Sequence, residues 1–360
     1  MKLFKCQNCG QMLYFENSSC ESCGRRLGYL SDIGTLSSVV EDGSTWIAAA
    51  NPEARYRFCA NWEAYACNWM VPADGAQTFC TACEHNRTIP DISDPEKHRL
   101  WQKFELAKRR LFYSLIKLNL PMPTDAGGDP EPLAFQFLAE PENPDAKPGD
   151  KVMTGHDNGV ITIALTEADD AVREKVRTQM GEPYRTLLGH FRHEVGHYYW
   201  DKLVRDGGQL DSCRALFGDD REDYQEAIKR HYAKDADLQD SWQQGFVSSY
   251  ATMHPWEDWA ETWAHYLHIV DTLEMAAAFG IKVQPKVSDD PVLEATIDFD
   301  PHRARDIQTL IDAWLPLSYA VNSLNRSMGQ PDLYPFVLAP RAIEKLGYVH
   351  KLIHGIDPVS

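Results

Sequence analysis

The residues best suited to chemistry are His193-Glu194-Val195-Gly196-His197. On a helix, side chains four apart lie on one face, so the two imidazoles can grip a single Zn²⁺. Glu194 then projects beside the metal, where its carboxylate can take a proton from zinc-activated water. Such a five-residue pattern also arises by chance, and then marks only a charged helix face. Here the surrounding run is amphipathic. Leu187, Leu188, Phe191, Val195 and Leu203 recur at helical spacing, Pro183 suits a first helical position, and Gly207-Gly208 ends the run. The pattern predicts a helix over 184–205. His190, one turn before His193, is expected as a neighbour of the pair, not a ligand.

Eight of the nine cysteines precede residue 84. Cys6-x-x-Cys9 and Cys20-x-x-Cys23 are paired knuckles, each followed by a glycine that lets the backbone turn under the thiolates. They are expected to hold one structural zinc. Cys59, Cys67 and Cys80-x-x-Cys83 form a second set with wider spacing, expected to hold another, with His85 as a possible substitute ligand. Four thiolates leave no open position for a substrate, so both ions would be structural. Cys213 stands alone and reads as an incidental thiol.

A zinc held by two histidines needs a further protein ligand, with one position left for water. The richest downstream segment is His254-Pro255-Trp256-Glu257-Asp258-Trp259-Ala260-Glu261-Thr262-Trp263-Ala264-His265. Pro255 opens a helix there, and Glu257, Glu261, His265 and His268 share one face. Two carboxylates and two imidazoles amid three tryptophans suit a face that meets a metal and its supporting groups. His254 is a further candidate.

H-E-x-x-H followed by this E-x-x-x-E helix resembles the gluzincin metallopeptidases. The resemblance implies that Glu257 is the third ligand and that Glu261 orients a ligating histidine. Similarity to the lethal-factor-like branch implies that Tyr250, two turns before Glu257, stabilises the oxyanion. The whole chain resembles bacterial zinc-binding metallopeptidases with an N-terminal double zinc ribbon. The match is carried by the cysteine knuckles, H-E-V-G-H and M-H-P-W-E-D-W-A-E-T-W-A-H. The interval between His197 and Glu257, filled by the charged segment 219–240, is long compared with thermolysin-like members.

The elements that must position these residues follow from pattern. Short apolar runs in 34–50 suit small strands. Asp94-Pro95 opens a helix whose stripe runs from Leu100 to Leu118. Leu133–Leu138 and Val160–Leu165 read as strands, the second followed by a helix capped through Thr166-x-x-Asp169. A strand there suits either an ordinary sheet position or an edge that pairs with an extended substrate. Asp300-Pro301 opens a long helix towards Met328-Gly329, and 341–353 forms a last one. Asn325, Arg326, Asp332 and Tyr334 are expected in surface and capping roles. The expected fold class is α+β: a zinc-ribbon domain over 1–94, then a mainly helical zincin-like domain with a small sheet over 95–360.

With 360 residues, 43% hydrophobic and 25% charged, the chain can bury a large core. Its net charge of −17 disfavours nucleic acid and anionic membranes as partners. Residues 1–95 carry seven Lys plus Arg against eleven Asp plus Glu, so the ribbons are expected to dock protein. No secretory signal or membrane span is visible, and a cytoplasmic location is expected, where clustered cysteines bind metal. The expected function is a zinc metallopeptidase acting on a peptide or protein substrate. The alternative is a non-catalytic interaction protein with a structural H-E-x-x-H zinc.

Overall fold

In the computed structural model, which describes residues 2–140, 152–180, 186–233 and 242–358, the architecture is α+β. The described chain divides into two units, one of residues 1–116 and 121–172, the other of 117–120 and 173–360.

In the first unit, Gly10 and Gly24 follow the two N-terminal knuckles with φ of +81° and +70°, a region that side chains with a Cβ rarely adopt. The first knuckle links strands β1 (Phe4–Lys5) and β2 (Met12–Leu13). Between the two cysteine sets lie β3 (Leu27–Leu30), β4 (Thr35–Asp42), β5 (Thr45–Ala48) and β6 (Asn51–Phe58), and β7 (Trp69–Pro72) follows Cys67 within the second set. Each pairs antiparallel with the next, and β3 pairs parallel with β7 to close a barrel. The parallel seam is obligatory, because the first and fifth strands of an alternating series run the same way. Leu30, Val39, Ala48, Tyr56 and Met70 fill the interior. Gly28 lies where a Cβ would meet the Met70 sulfur at 2.2 Å, so a side chain there would have to displace Met70 from the interior. The expected small strands are therefore two of five staves, and closure was not legible from 34–50 alone.

The same unit holds β8 (Asn86–Thr88), α1 (Pro95–Lys117), β9 (Ala134–Leu138), β10 (Gly155–Asp157) and β11 (Val160–Ala164). Asp94 caps α1 by accepting from the Glu96 N–H at 2.8 Å. The apolar stripe of α1 is buried, but so are Glu105 and Lys108, whose ion pair spans 2.9 Å. The sheet order is β10-β11-β9-β8. Of the two readings of 160–165, the ordinary sheet position holds and the edge does not: β11 is paired on both sides, antiparallel to β10 and parallel to β9. β9 covers all of Val160–Ala164 and β10 covers Val160–Thr162, which leaves no edge long enough to pair with an extended substrate. The cap that follows is Asp169, which accepts from the Ala171 and Val172 N–H groups, not Thr166; it starts α2 (Asp170–Met180).

The second unit is built on α3 (Leu187–Tyr199), capped by Thr186, whose Oγ1 accepts from the Gly189 N–H at 2.9 Å. Pro183 and Tyr184 lie outside the described residues. Beyond Tyr199 the expected helix continues as a π-helical turn, Trp200–Arg205. Next come α4 (Leu210–Phe217) and α5 (Tyr224–Tyr232); residues 234–240 of the charged interval lie outside the described residues. Then follow α6 (Pro255–Ala278), the short pair β12 (Lys282–Val283) and β13 (Ala295–Thr296), α7 (Ile307–Ser327) and α8 (Pro340–Ile353). Asp300-Pro301 opens only a 3₁₀ turn; Asp306, which accepts from the Thr309 N–H, is the cap of α7. No helix among the described residues is long and apolar enough to cross a membrane.

Helices α3 and α6 cross at small residues. A Cβ on Gly196 would lie 3.1 Å from the Ala260 Cα and 3.2 Å from the Trp263 Cβ. Trp259 Nε1–H donates to the Gly196 carbonyl at 2.8 Å, and Trp263 stacks on Tyr199. Lys345 on α8 pairs with the buried Asp258 at 2.6 Å and so holds the back of α6. Gly196→Ala is expected to force the two helices apart by tenths of an ångström and to destabilise by about 1–3 kcal/mol, as overpacking does. Denaturant melts check this, and an unchanged midpoint would show that the crossing has slack.

Candidate metal centres

The tight crossing brings three donor atoms together. His193 Nε2 and His197 Nε2 lie 3.2 Å apart, and Glu257 Oε2 lies 2.9 Å from the first and 3.5 Å from the second. Four ligands around one zinc at 2.0–2.1 Å stand about 3.3–3.4 Å from one another, so this triangle fits the ion. All three residues are nearly or fully buried.

The groups around the triangle set its protonation and aim. Glu261 Oε1 accepts from His193 Nδ1–H at 2.8 Å, and Ser248 Oγ donates to the other Glu261 oxygen. With the proton on Nδ1, the lone pair of Nε2 points inward. Burial opposes charge on His193, but Glu257 and Glu261 overcome it and raise its pKa well above the usual range, so a metal would bind Nε2 by displacing the proton shared with Glu257. Tyr224 O–H donates to Glu257 Oε1 at 2.7 Å, leaving Oε2 for the triangle. The Trp256 ring packs on His197 with centroids 3.9 Å apart.

Glu194 is buried beside the triangle, and its Oε1 accepts from His190 Nε2 at 3.0 Å. Its Oε2 has no hydrogen-bond partner among the described residues. Burial alone would raise this carboxyl, yet the bond from His190 and the charge of the neighbouring imidazoles lower it, which keeps it ionised. Tyr250 lies over His193 with ring centroids 5.8 Å apart. Burial first, then the surrounding carboxylates, raise its pKa, so it remains an O–H donor at neutral pH.

The other downstream candidates are engaged elsewhere. His254 caps α6 through Nδ1, which accepts from the Trp256 N–H. His265 pairs with the Tyr334 hydroxyl at 2.6 Å, and burial holds its pKa down to about 4. His268 accepts from Arg192, which also pairs with Asp271. The expectation that the whole α6 face meets the metal is thus too broad: only its first two turns reach the His193–His197 pair, and the next two serve an interior network. Asp271, Glu274 and His302 form a further buried group with metal-like spacing, but the Arg192 guanidinium on Asp271 makes it an ion-pair network. Asn325 bonds the Pro331 carbonyl and Arg326 pairs with Asp332, away from the triangle's partners. Burial pushes the Cys213 thiol up to about 12.

Sequence reasoning passed over two contributors, Tyr224 and Ser248, and named His190 only as a neighbour of the pair, without its bond to Glu194. His190 was legible, because it stands four residues before Glu194 on the same helix face. Tyr224 and Ser248 carried no signal; only the tertiary fold returns them to α6.

The cysteines gather as two separate sets, Cys6, Cys9, Cys20, Cys23 and Cys59, Cys67, Cys80, Cys83. Within them, sulfurs stand 3.8 Å (Cys6–Cys23), 3.6 Å (Cys9–Cys20) and 3.7 Å (Cys67–Cys80) apart. A tetrahedron of Zn–S bonds of 2.3 Å has edges of about 3.75 Å. The N–H groups of Trp69 and Cys80 point at the sulfurs of Cys67 and Cys59 at 3.4 Å. His85 is not in this set: its Nδ1 bonds the Leu133 carbonyl at 2.7 Å. Cys9 is exposed, whereas all four cysteines of the second set are buried. A thiol-selective reagent is therefore expected to modify the first set roughly tenfold faster or more, releasing its metal first. Mass spectrometry of the labelled cysteines checks the order, and simultaneous labelling would contradict it.

Four-cysteine clusters in an N-terminal segment, followed by a histidine pair closed by an acid, define a zinc-binding protein with a zinc ribbon. Residues 97–352 match the family described as "putative zinc-binding metallo-peptidase", and residues 3–94 match a zinc-ribbon domain. The chain belongs to that family. It is 42% identical over 362 residues to uncharacterized proteins of Mycobacterium bovis and Mycobacterium tuberculosis, covering 99% of this chain and 97% of each relative. No solved structure matches the chain significantly.

Proposed function

We propose that the protein is a zinc-dependent metallopeptidase that hydrolyses peptide or amide bonds in a peptide or protein substrate. His193, His197 and Glu257 hold the catalytic zinc, and each cysteine cluster holds a structural one. One observation carries the reading: a buried triangle of two imidazole nitrogens and a carboxylate oxygen, 2.9–3.5 Å on its edges, beside a Glu194 oxygen with no partner among the described residues.

Zinc supplies Lewis acidity there, making water a nucleophile at neutral pH and polarising the carbonyl under attack. Glu194 accepts the proton of the attacking water at Oε2 and delivers it to the leaving amine. His190 holds Oε1 and so fixes the plane of that carboxylate. Tyr250 donates a hydrogen bond to the oxyanion. Glu261 keeps His193 in the tautomer that binds metal, and Tyr224 keeps Glu257 presenting one oxygen. The ribbons serve as a protein-docking module, and the net charge of −17 supports partners other than nucleic acid or anionic membrane. A cytoplasmic location suits two thiolate zinc clusters.

A non-catalytic scaffold would need no carboxylate aimed at its metal. The test is to incubate the zinc-loaded wild type and Glu194→Gln with a peptide library and with lysate of the host cell, then to identify new termini by mass spectrometry. Termini that appear only with wild type are expected, together with about three zinc ions per chain by elemental analysis. Identical terminus profiles would assign the protein to the scaffold class.

A further inference from the structure

Next to the ligand triangle lies a cavity of about 310 Å³ lined by Trp200, Asp220, Glu222, Tyr224, His254 and Trp256. Two of these residues touch metal ligands directly: Trp256 packs on His197, and Tyr224 bonds Glu257. The cavity is at the small end of the range for ligand pockets, about 300–1,000 Å³, which suits one side chain better than a whole ligand.

We infer that this cavity is the specificity pocket for a basic substrate side chain, lysine or arginine, flanking the bond that is cut. The inference rests on the peptidase reading above. Three aromatic residues, Trp200, Tyr224 and Trp256, supply ring faces whose negative quadrupole attracts a cation. Two carboxylates, Asp220 and Glu222, stand in the same wall, and no lysine or arginine among the described residues lines it. His254 adds no opposing charge, because its Nδ1 accepts from the Trp256 N–H while Nε2–H donates to the Glu222 carbonyl. That pattern requires the neutral imidazole.

Both acids have arginine partners. Arg214 binds the two oxygens of Asp220 at 2.6 and 3.1 Å and holds it in place. Arg230 reaches Glu222 Oε2 at 2.8 Å from solvent, with its side chain 63% exposed, so this pair is weak and easily exchanged for a substrate cation. An acidic side chain would meet the Glu222 carboxylate, and an aliphatic one would desolvate it without compensation. The acidity of the whole chain favours approach of basic peptides as well.

The test separates binding from turnover. Fluorescein-labelled alanine octapeptides carry one Arg, Lys, citrulline, norleucine, Phe or Glu, moved along the sequence. Their binding to zinc-loaded Glu194→Gln is read by fluorescence polarisation, and their cleavage by wild type is read separately. Arg and Lys peptides are expected to bind about tenfold or more tighter than citrulline, norleucine and Glu peptides, as desolvated cation–π and charge contacts allow. Trp200→Leu and Glu222→Gln, placed singly in the Glu194→Gln background and checked by thermal melting, are each expected to cut that preference to about threefold or less. Equal or tighter binding of norleucine or Phe peptides overturns the inference, as does no binding of any peptide. Basic preference in binding without any wild-type cleavage would leave the pocket standing and remove the peptidase reading. Cleavage without basic preference would do the reverse.

Discussion

Glu194→Gln is expected to retain its zinc and its fold while losing peptide hydrolysis by several orders of magnitude. The amide has the shape of the carboxylate and can still meet His190, but it cannot accept the proton of the attacking water. The donor triangle does not include Glu194, so metal content is unaffected. Steady-state hydrolysis beside elemental analysis reads both quantities, and turnover near the wild-type rate would refute the assignment of the base. Tyr250→Phe is expected to cost less, about 10²–10³-fold, because it removes one oxyanion donor while the metal remains.

The second large effect separates Glu257 from Glu261. Glu257→Ala leaves two imidazoles as the only protein ligands, and most of the zinc in this centre is expected to be lost on dialysis. Glu261→Ala acts one bond further out. It frees His193 Nδ1 and strands Ser248, and is expected to weaken zinc affinity by about 10–100-fold, the usual range for a group that orients a ligand. Competition with a chromogenic chelator measures both. Equal, negligible losses would place the third ligand elsewhere. The reverse ranking would mean that α6 presents its second turn, not its first, to the histidines.

The same geometry explains why α6 dominates this unit. Its first turn carries Glu257, its second Glu261, and Ala260 between them lets α3 approach to Gly196. Behind it, Lys345 neutralises Asp258, whose burial raises its carboxyl to about 7 despite that pairing. One helix therefore supplies the acid of the triangle, the partner of His193 and the anchor to α8.

What the sequence determined by itself is local. The spacing of His193 and His197 turns two imidazoles to one face because an α-helix advances about 3.6 residues per turn. The knuckles are legible because Cys-x-x-Cys followed by glycine specifies a tight turn within five residues. The α+β class followed from the change of periodicity along the chain, and the resemblance to zinc-binding metallopeptidases followed from short motifs. Tertiary structure decided whatever depends on residues distant in the chain. Five short strands became a barrel only because the fifth meets the first. The strand over 160–164 became internal because β9 and β10 take both its edges. Tyr224, 33 residues before Glu257, selects which carboxylate oxygen faces the histidines. His265 and His268 share a helix face with Glu257, yet neighbours from other elements draw them into a separate network. Periodicity assigns a residue to a face of its own helix, but the partner that face meets depends on packing between helices, which the spacing of residues along one chain does not encode.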